Sequence, residues 1–217
     1  MDGILLLEKQ KETEHYQIQS LPINSGVFCL KKDRFQDVVW IGTDGQGVYL
    51  YSNPLYSIKS MVLSNYTEKI ERPVRAIYLD DERTFWVGTK GNGILKIYDY
   101  EFDKNISDCR AEVLTTSNSA LSSNAVYCFA KSHRNLLCIG DEEGLTYYSY
   151  REKRIKSIPI RIGNEDFKYI HDIYETADSE LWLASVGMGV VKARIAGTPD
   201  NPVIVDAQRY IINDGEL

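Results

Sequence analysis

Along this chain apolar residues come in short runs separated by polar turns, and the runs recur in a fixed order. Each unit opens with Val27-Phe28-Cys29-Leu30, Val74-Arg75-Ala76-Ile77, Val126-Tyr127-Cys128-Phe129 or Ile170-His171-Asp172-Ile173. A polar turn follows, as at residues 80–83 and 177–180. Then comes a second run: Val39-Trp40-Ile41-Gly42-Thr43, Phe85-Trp86-Val87-Gly88-Thr89, Leu137-Cys138-Ile139-Gly140-Asp141 or Leu181-Trp182-Leu183-Ala184-Ser185. Short runs rich in β-branched and aromatic residues, bounded by turn formers, predict strands and not helices.

After the second run, Asp44-Gly45-Gln46-Gly47 and Lys90-Gly91-Asn92-Gly93 supply the positive-φ residues of a hairpin turn. A third strand starts at Val48 or Ile94, and a more variable fourth, as at residues 56–62 and 203–207, completes a four-stranded meander. The anchors Gly42, Gly88, Gly140 and Ala184 are 46, 52 and 44 residues apart. Those spacings lie close to the ~40–50 residues of a propeller blade. Strands apolar on both faces suit blades that stack face to face around an axis. The expectation is an all-β chain, a β-propeller fragment of four-stranded meander blades. A half blade is expected over residues 1–22 and full blades over 23–69, 70–120, 121–165 and 166–217. The alternative is a two-sheet sandwich, which requires no such regular period.

The Trp-Ile-Gly-Thr-x-x-x-Gly string of residues 40–47, its copy at Trp86-Val87-Gly88-Thr89, and Ser117-Asn118-Ser119-Ala120-Leu121-Ser122-Ser123-Asn124-Ala125-Val126 closely resemble the two-component regulator propeller repeat. Cys138 in place of Trp, and Ala184-Ser185 in place of Gly-Thr, depart from it. The resemblance implies the periplasmic sensor region of a hybrid two-component system of Bacteroides-type bacteria, where such sensors detect breakdown products of glycans. It also implies a non-catalytic module whose histidine kinase belongs to a separate domain.

Composition narrows the chemistry. The chain is 43% hydrophobic and 26% charged, as a packed globular protein is. A net charge of −6 without a concentrated basic patch argues against direct nucleic-acid contact, which draws its affinity from neutralised phosphates. Cys29, Cys109, Cys128 and Cys138 lack CxxC spacing and clustered histidines, so they read as packed thiols and no metal site is expected. The Gly-x-Gly strings at Gly45, Gly91 and Gly187 lead into strands, whereas a dinucleotide loop leads into a helix; no cofactor is expected. His15, His133 and His171 stand in different repeat positions, so no catalytic constellation is expected. Trp40, Trp86 and Trp182 share one register and read as packing between blades.

The informative outliers lie at the second position of the innermost strand, which reads Phe28, Arg75, Tyr127 and His171. In a propeller this end of the strand borders the central opening. The ligand-binding candidates are Arg72, Arg75, Asn124, Tyr127, Lys168, Tyr169 and His171, expected near Asp44, Gln46, Lys90 and Asn92. Each could equally be a solvated rim residue or a satisfied buried polar group. Three functions compete: a sensing module for an oligosaccharide, a scaffold docking neighbouring propeller and sensor domains of the same receptor, and a lyase-like enzyme. The last needs a His/Glu/metal cluster that the chain does not offer. Open blade faces at either end predict self-association.

Overall fold

A computed structural model describes residues 4–9, 16–52, 57–61, 70, 72–100 and 109–211. His15 and the remaining parts of the expected blades lie outside the described residues. Four antiparallel sheets of four strands follow one another, each a meander in chain order. The first blade holds β3 (Val27–Lys32), β4 (Val38–Thr43), β5 (Val48–Ser52) and β6 (Ser57–Met61). The second holds β7 (Val74–Leu79), β8 (Phe85–Thr89), β9 (Ile94–Ile97) and β10 (Ala111–Leu114). The third is β11 (Val126–Ser132), β12 (Leu136–Asp141), β13 (Leu145–Ser149) and β14 (Arg154–Ile158). The fourth is β17 (Ile170–Glu175), β18 (Glu180–Ser185), β19 (Gly189–Thr198) and β20 (Asn201–Tyr210). A leading hairpin pairs β1 (Leu5–Lys9) with β2 (Tyr16–Ser20), and a small one not expected from the repeat pairs β15 (Arg161–Ile162) with β16 (Glu165–Asp166). Gly163, at φ 63°, makes the sharp turn inside this second hairpin.

The core is divided among the three blade interfaces. Trp40 and Leu50 of the first blade meet Ile77, Phe85 and Leu95 of the second; Trp86 meets Val126, Leu137 and Tyr148 of the third; Leu136 and Tyr147 meet Ile173 and Leu183 of the fourth. Within β8, Phe85 and Val87 face back to the first blade while Trp86 between them faces forward, so every residue of the strand is buried. This two-sided burial produces continuous apolar runs in place of alternation.

The glycine of each second run has a packing reason. A Cβ on Gly42 would meet Val74 of the next blade at 3.1 Å, and one on Gly88 would meet Val126 at 2.8 Å. On Gly140 it would meet the Ile170 carbonyl oxygen at 2.6 Å. The inner strand of each following blade is therefore seated against a missing side chain. Ala184 stands at this position in the fourth blade, against which no further inner strand packs among the described residues.

Trp40 and Trp86 are fully buried and lie on the next blade, their rings 4.0 Å from Phe85 and 4.8 Å from Tyr148. Each indole Nε1 donates to a buried aspartate, Asp33 or Asp80, at 2.9 Å. Trp182 differs: it is half-buried and stacks on Tyr210 of its own blade. Apolar side chains are correspondingly exposed at both ends of the arc. Leu5, Leu7, Tyr16, Ile18 and Leu30 lie at one end, Tyr174 and Tyr210 at the other.

Candidate functional site

All four innermost strands carry a β-bulge at the same place. The register runs Val27↔Thr43 then Cys29↔Gly42, Val74↔Thr89 then Ala76↔Gly88, Val126↔Asp141 then Cys128↔Gly140, and Ile170↔Ser185 then Asp172↔Ala184. The residues left without a partner are Phe28, Arg75, Tyr127 and His171. A bulge frees one side chain from the alternation of its strand and re-aims it, which is why bulges gather at functional rims. Here four of them bring one repeat position from four blades into a row.

Within that row the groups stack in pairs. The Arg75 guanidinium lies over the Phe28 ring at 3.9 Å, and the Tyr127 and His171 rings are stacked at 4.1 Å with 22° between their planes. The two pairs sense one another. Burial, and then the charge of Arg75, lower the His171 pKa. Burial and Glu142 raise that of the Tyr127 phenol, with Arg75 opposing them. At neutral pH the row therefore presents a cation, a protonated phenol and a neutral imidazole. The Nε of Arg75 is buried and has no hydrogen-bond partner among the described residues. A buried donor left unmade costs about 1–3 kcal/mol, so this atom has a standing demand for an acceptor.

The other candidates divide. Tyr169 is well exposed, adopts φ 55° and lies close enough to influence Tyr127. Its N–H donates to the Glu142 carbonyl at 3.1 Å, and its own carbonyl accepts from Val186 at 3.2 Å. Lys168 is paired with Glu143 at 2.5 Å, and its carbonyl accepts from the Ser185 hydroxyl. Asn124 braces the backbone: its carbonyl accepts from Gly91 and Gly93, and its side-chain oxygen accepts from Thr116. The Arg72 N–H donates to the Asn92 side chain at 3.0 Å, the sequence-expected neighbour. Arg75, Tyr127 and His171 thus meet in one row with Phe28, while Asn124 spends its oxygens on turns.

Asp141 went unmarked in the sequence. Fully buried, it accepts from the backbone of Glu143 and Gly144 and from the hydroxyls of Ser122 and Thr146, closing the turn beside Tyr127. In the first two blades Thr43 and Thr89 close the equivalent turns through hydroxyl bonds to Gly47 and Gly93. A carboxylate in a threonine register was the available signal.

These sheets and interfaces have counterparts in solved proteins. The extracellular domain of a hybrid two-component system of B. thetaiotaomicron superposes with a TM-score of 0.64 at 23% identity, over 90% of this chain and 24% of that one. PorZ, a surface component of the type-IX secretion system of Porphyromonas gingivalis, gives 0.58 at 13% identity over 82% of this chain and 26% of its own. The β-propeller domain of Myceliophteria thermophila Cps50 (Swd1) gives 0.58 at 12% identity over 88% and 62%. The fold is a β-propeller. The chain spans about a quarter of the first two proteins, and at these identities the likeness carries the fold alone. No family model matches. Over 140 residues the chain is 31% identical to translation initiation factor 6 of Saccharolobus solfataricus, which is 58% of this chain and 57% of that protein. The chain thus spans little more than half of that relative.

Proposed function

We propose that the chain is a ligand-sensing, non-catalytic propeller module of a hybrid two-component sensor exposed outside the inner membrane. In this reading a glycan fragment seats on the bulge row. The observation that carries it is the coincidence of four β-bulges with the four register positions, which delivers Phe28, Arg75, Tyr127 and His171 to one line. Flat faces beside hydrogen-bond donors suit a hydroxylated ring, whose apolar face can rest on an arene while its oxygens accept from Arg75 and Tyr127. The fold likeness to the extracellular domain of a two-component system supports the sensor setting. A ligand bound there would signal through a difference in affinity between two arrangements of the receptor.

The test is titration of the chain with an oligosaccharide panel by calorimetry, alongside Arg75→Ala and His171→Ala. Binding that both substitutions weaken at least tenfold, with melting unchanged, is the expected result. A panel without a binder, or variants that bind as the parent does, would remove the row from consideration.

A second reading, a docking scaffold for neighbouring domains, draws on the apolar side chains exposed at both ends of the arc. It predicts that binding of a neighbouring domain survives the bulge-row substitutions and fails when Leu30 or Ile18 is made lysine.

A further inference from the structure

Lys96 occupies the place where the first blade has Leu50: each is the cross-strand partner of its blade tryptophan. An apolar side chain therefore suffices for packing at this register, and the amine is an addition. Lys96 is 3% exposed. Its Nζ lies 4.5 Å from the Trp86 ring, 4.7 Å from Tyr98 and 4.5 Å from Tyr148. The fourth blade repeats the pairing with Lys192 over Trp182, but there Glu180 receives the ammonium at 2.7 Å. The second blade has Thr84 at the position of Glu180.

The carboxylates nearest Lys96 are already engaged. Asp80 accepts from Trp86 and Thr84, Glu112 from the Tyr98 hydroxyl at 2.6 Å, and Glu82 from Lys153 at 2.6 Å. Among the described residues Lys96 has no hydrogen-bond or ion-pair partner. An ammonium so placed keeps the attraction of three ring faces but, in a side chain only 3% exposed, has given up most of its water, a loss the neutral amine feels less. Desolvation lowers its pKa first; Glu112 and Asp80 oppose this, and Lys153 and Arg110 add to it. The amine opens on a cavity of about 330 Å³ between the second and third blades, lined also by Arg110, Glu112 and Lys153. That volume lies within the range of small-molecule sites.

We propose that Lys96 is a covalent capture site for a small aldehyde, set between the second and third blades and separate from the bulge row. Burial of a lysine without an ion-pair partner favours the free amine, whose lone pair attacks a carbonyl carbon, over the ammonium, which has none to give. The nitrogen bonds to that carbon and loses a proton, while the carbonyl oxygen gains one, giving a carbinolamine. Departure of the oxygen as water, with a second proton drawn from solvent, leaves a protonated imine, and the nitrogen returns a proton to solvent to give the imine. No electrons change hands, and hydrolysis reverses the step.

The experiment treats the chain with glycolaldehyde and cyanoborohydride at pH 7, which reduces the imine to a stable secondary amine, and follows each lysine by peptide mass spectrometry. Lys96 is expected to be labelled at least tenfold faster than the exposed Lys90 and the ion-paired Lys192. In urea-unfolded chain the advantage should vanish. Lys96→Leu, which restores the residue of the first blade, should keep the melting temperature and lose the fast-labelled fraction. Labelling of native Lys96 at or below the rate of Lys90 overturns the proposal, as does an advantage that survives unfolding. The native-chain comparison decides the matter even if the leucine variant fails to fold.

Discussion

Tyr127 and His171 lie face to face, ring centroids 4.1 Å apart, although they belong to different blades. Their contact is made by main-chain irregularity: each residue is the unpaired one of a bulge. The stack fixes the imidazole beside a phenol and within reach of the Arg75 charge.

From this follows a titration. The His171 pKa lies below the usual ~6.5, held down by burial and by Arg75. The unfolded chain takes up this proton first as pH falls. Stability owed to the neutral ring is therefore full above about pH 6.5 and declines below it, until the folded-state value is passed. Arg75→Met keeps an alkyl stem over Phe28 while removing both the charge and the unpartnered Nε. NMR titration should show His171 moving upward in this variant, with stability no lower than that of the parent by more than about 0.5 kcal/mol, because the lost stacking over Phe28 is offset by removal of the unpaired donor. An unmoved His171 would separate the two stacked pairs.

Adding one methyl group at a blade seam should be costly. In Gly140→Ala the new Cβ would lie 2.6 Å from the Ile170 carbonyl oxygen, which is backbone and cannot swing aside. The blades must part slightly, at a cost of about 1–3 kcal/mol, as for other overpacked cores. Urea unfolding measures it. Ala184→Gly, at the equivalent place in the fourth blade, relieves no such contact and should lose no more than about 1 kcal/mol.

The blade tryptophans should not be equivalent. Trp86→Phe leaves the buried Asp80 one donor short and opens space against Tyr148, a change worth about 1–3 kcal/mol from the lost hydrogen bond. Trp182→Phe, at a half-buried site, should shift the urea midpoint by less than half as much.

Much of this architecture was legible because its period is long and its punctuation strong. Glycines after the second strands, and apolar runs in fixed order, lead directly to four meanders. The register outliers Arg75, Tyr127 and His171 were also visible. The bulges that unite them were not, since one unpaired residue leaves no mark in the order of apolar and polar positions along a short run. Asp33 and Asp80 escaped notice for a similar reason: they stand seven and six residues before their tryptophans, so no constant offset marks them. Lys96 is a single polar residue in a third-strand run of the sequence, and only the third blade reveals the box around it.

Exposed apolar side chains at both ends of the arc should make the isolated chain associate. Light scattering is expected to show mass rising with concentration, and Ile18→Lys combined with Leu30→Lys should suppress the rise. A parent chain that stays monomeric at high concentration would show that these faces are too small or too divided to attract one another.

A bulged residue takes no part in the cross-strand register, so exchanging Phe28, Arg75, Tyr127 or His171 for another side chain disturbs no register pairing. The seam glycines have no such liberty. The scaffold thereby separates what must stay constant from what can change, and each blade adds one freely chosen letter to the surface at the centre of the arc. Four substitutions would rewrite the chemistry of that surface while the blades beneath it remain the same.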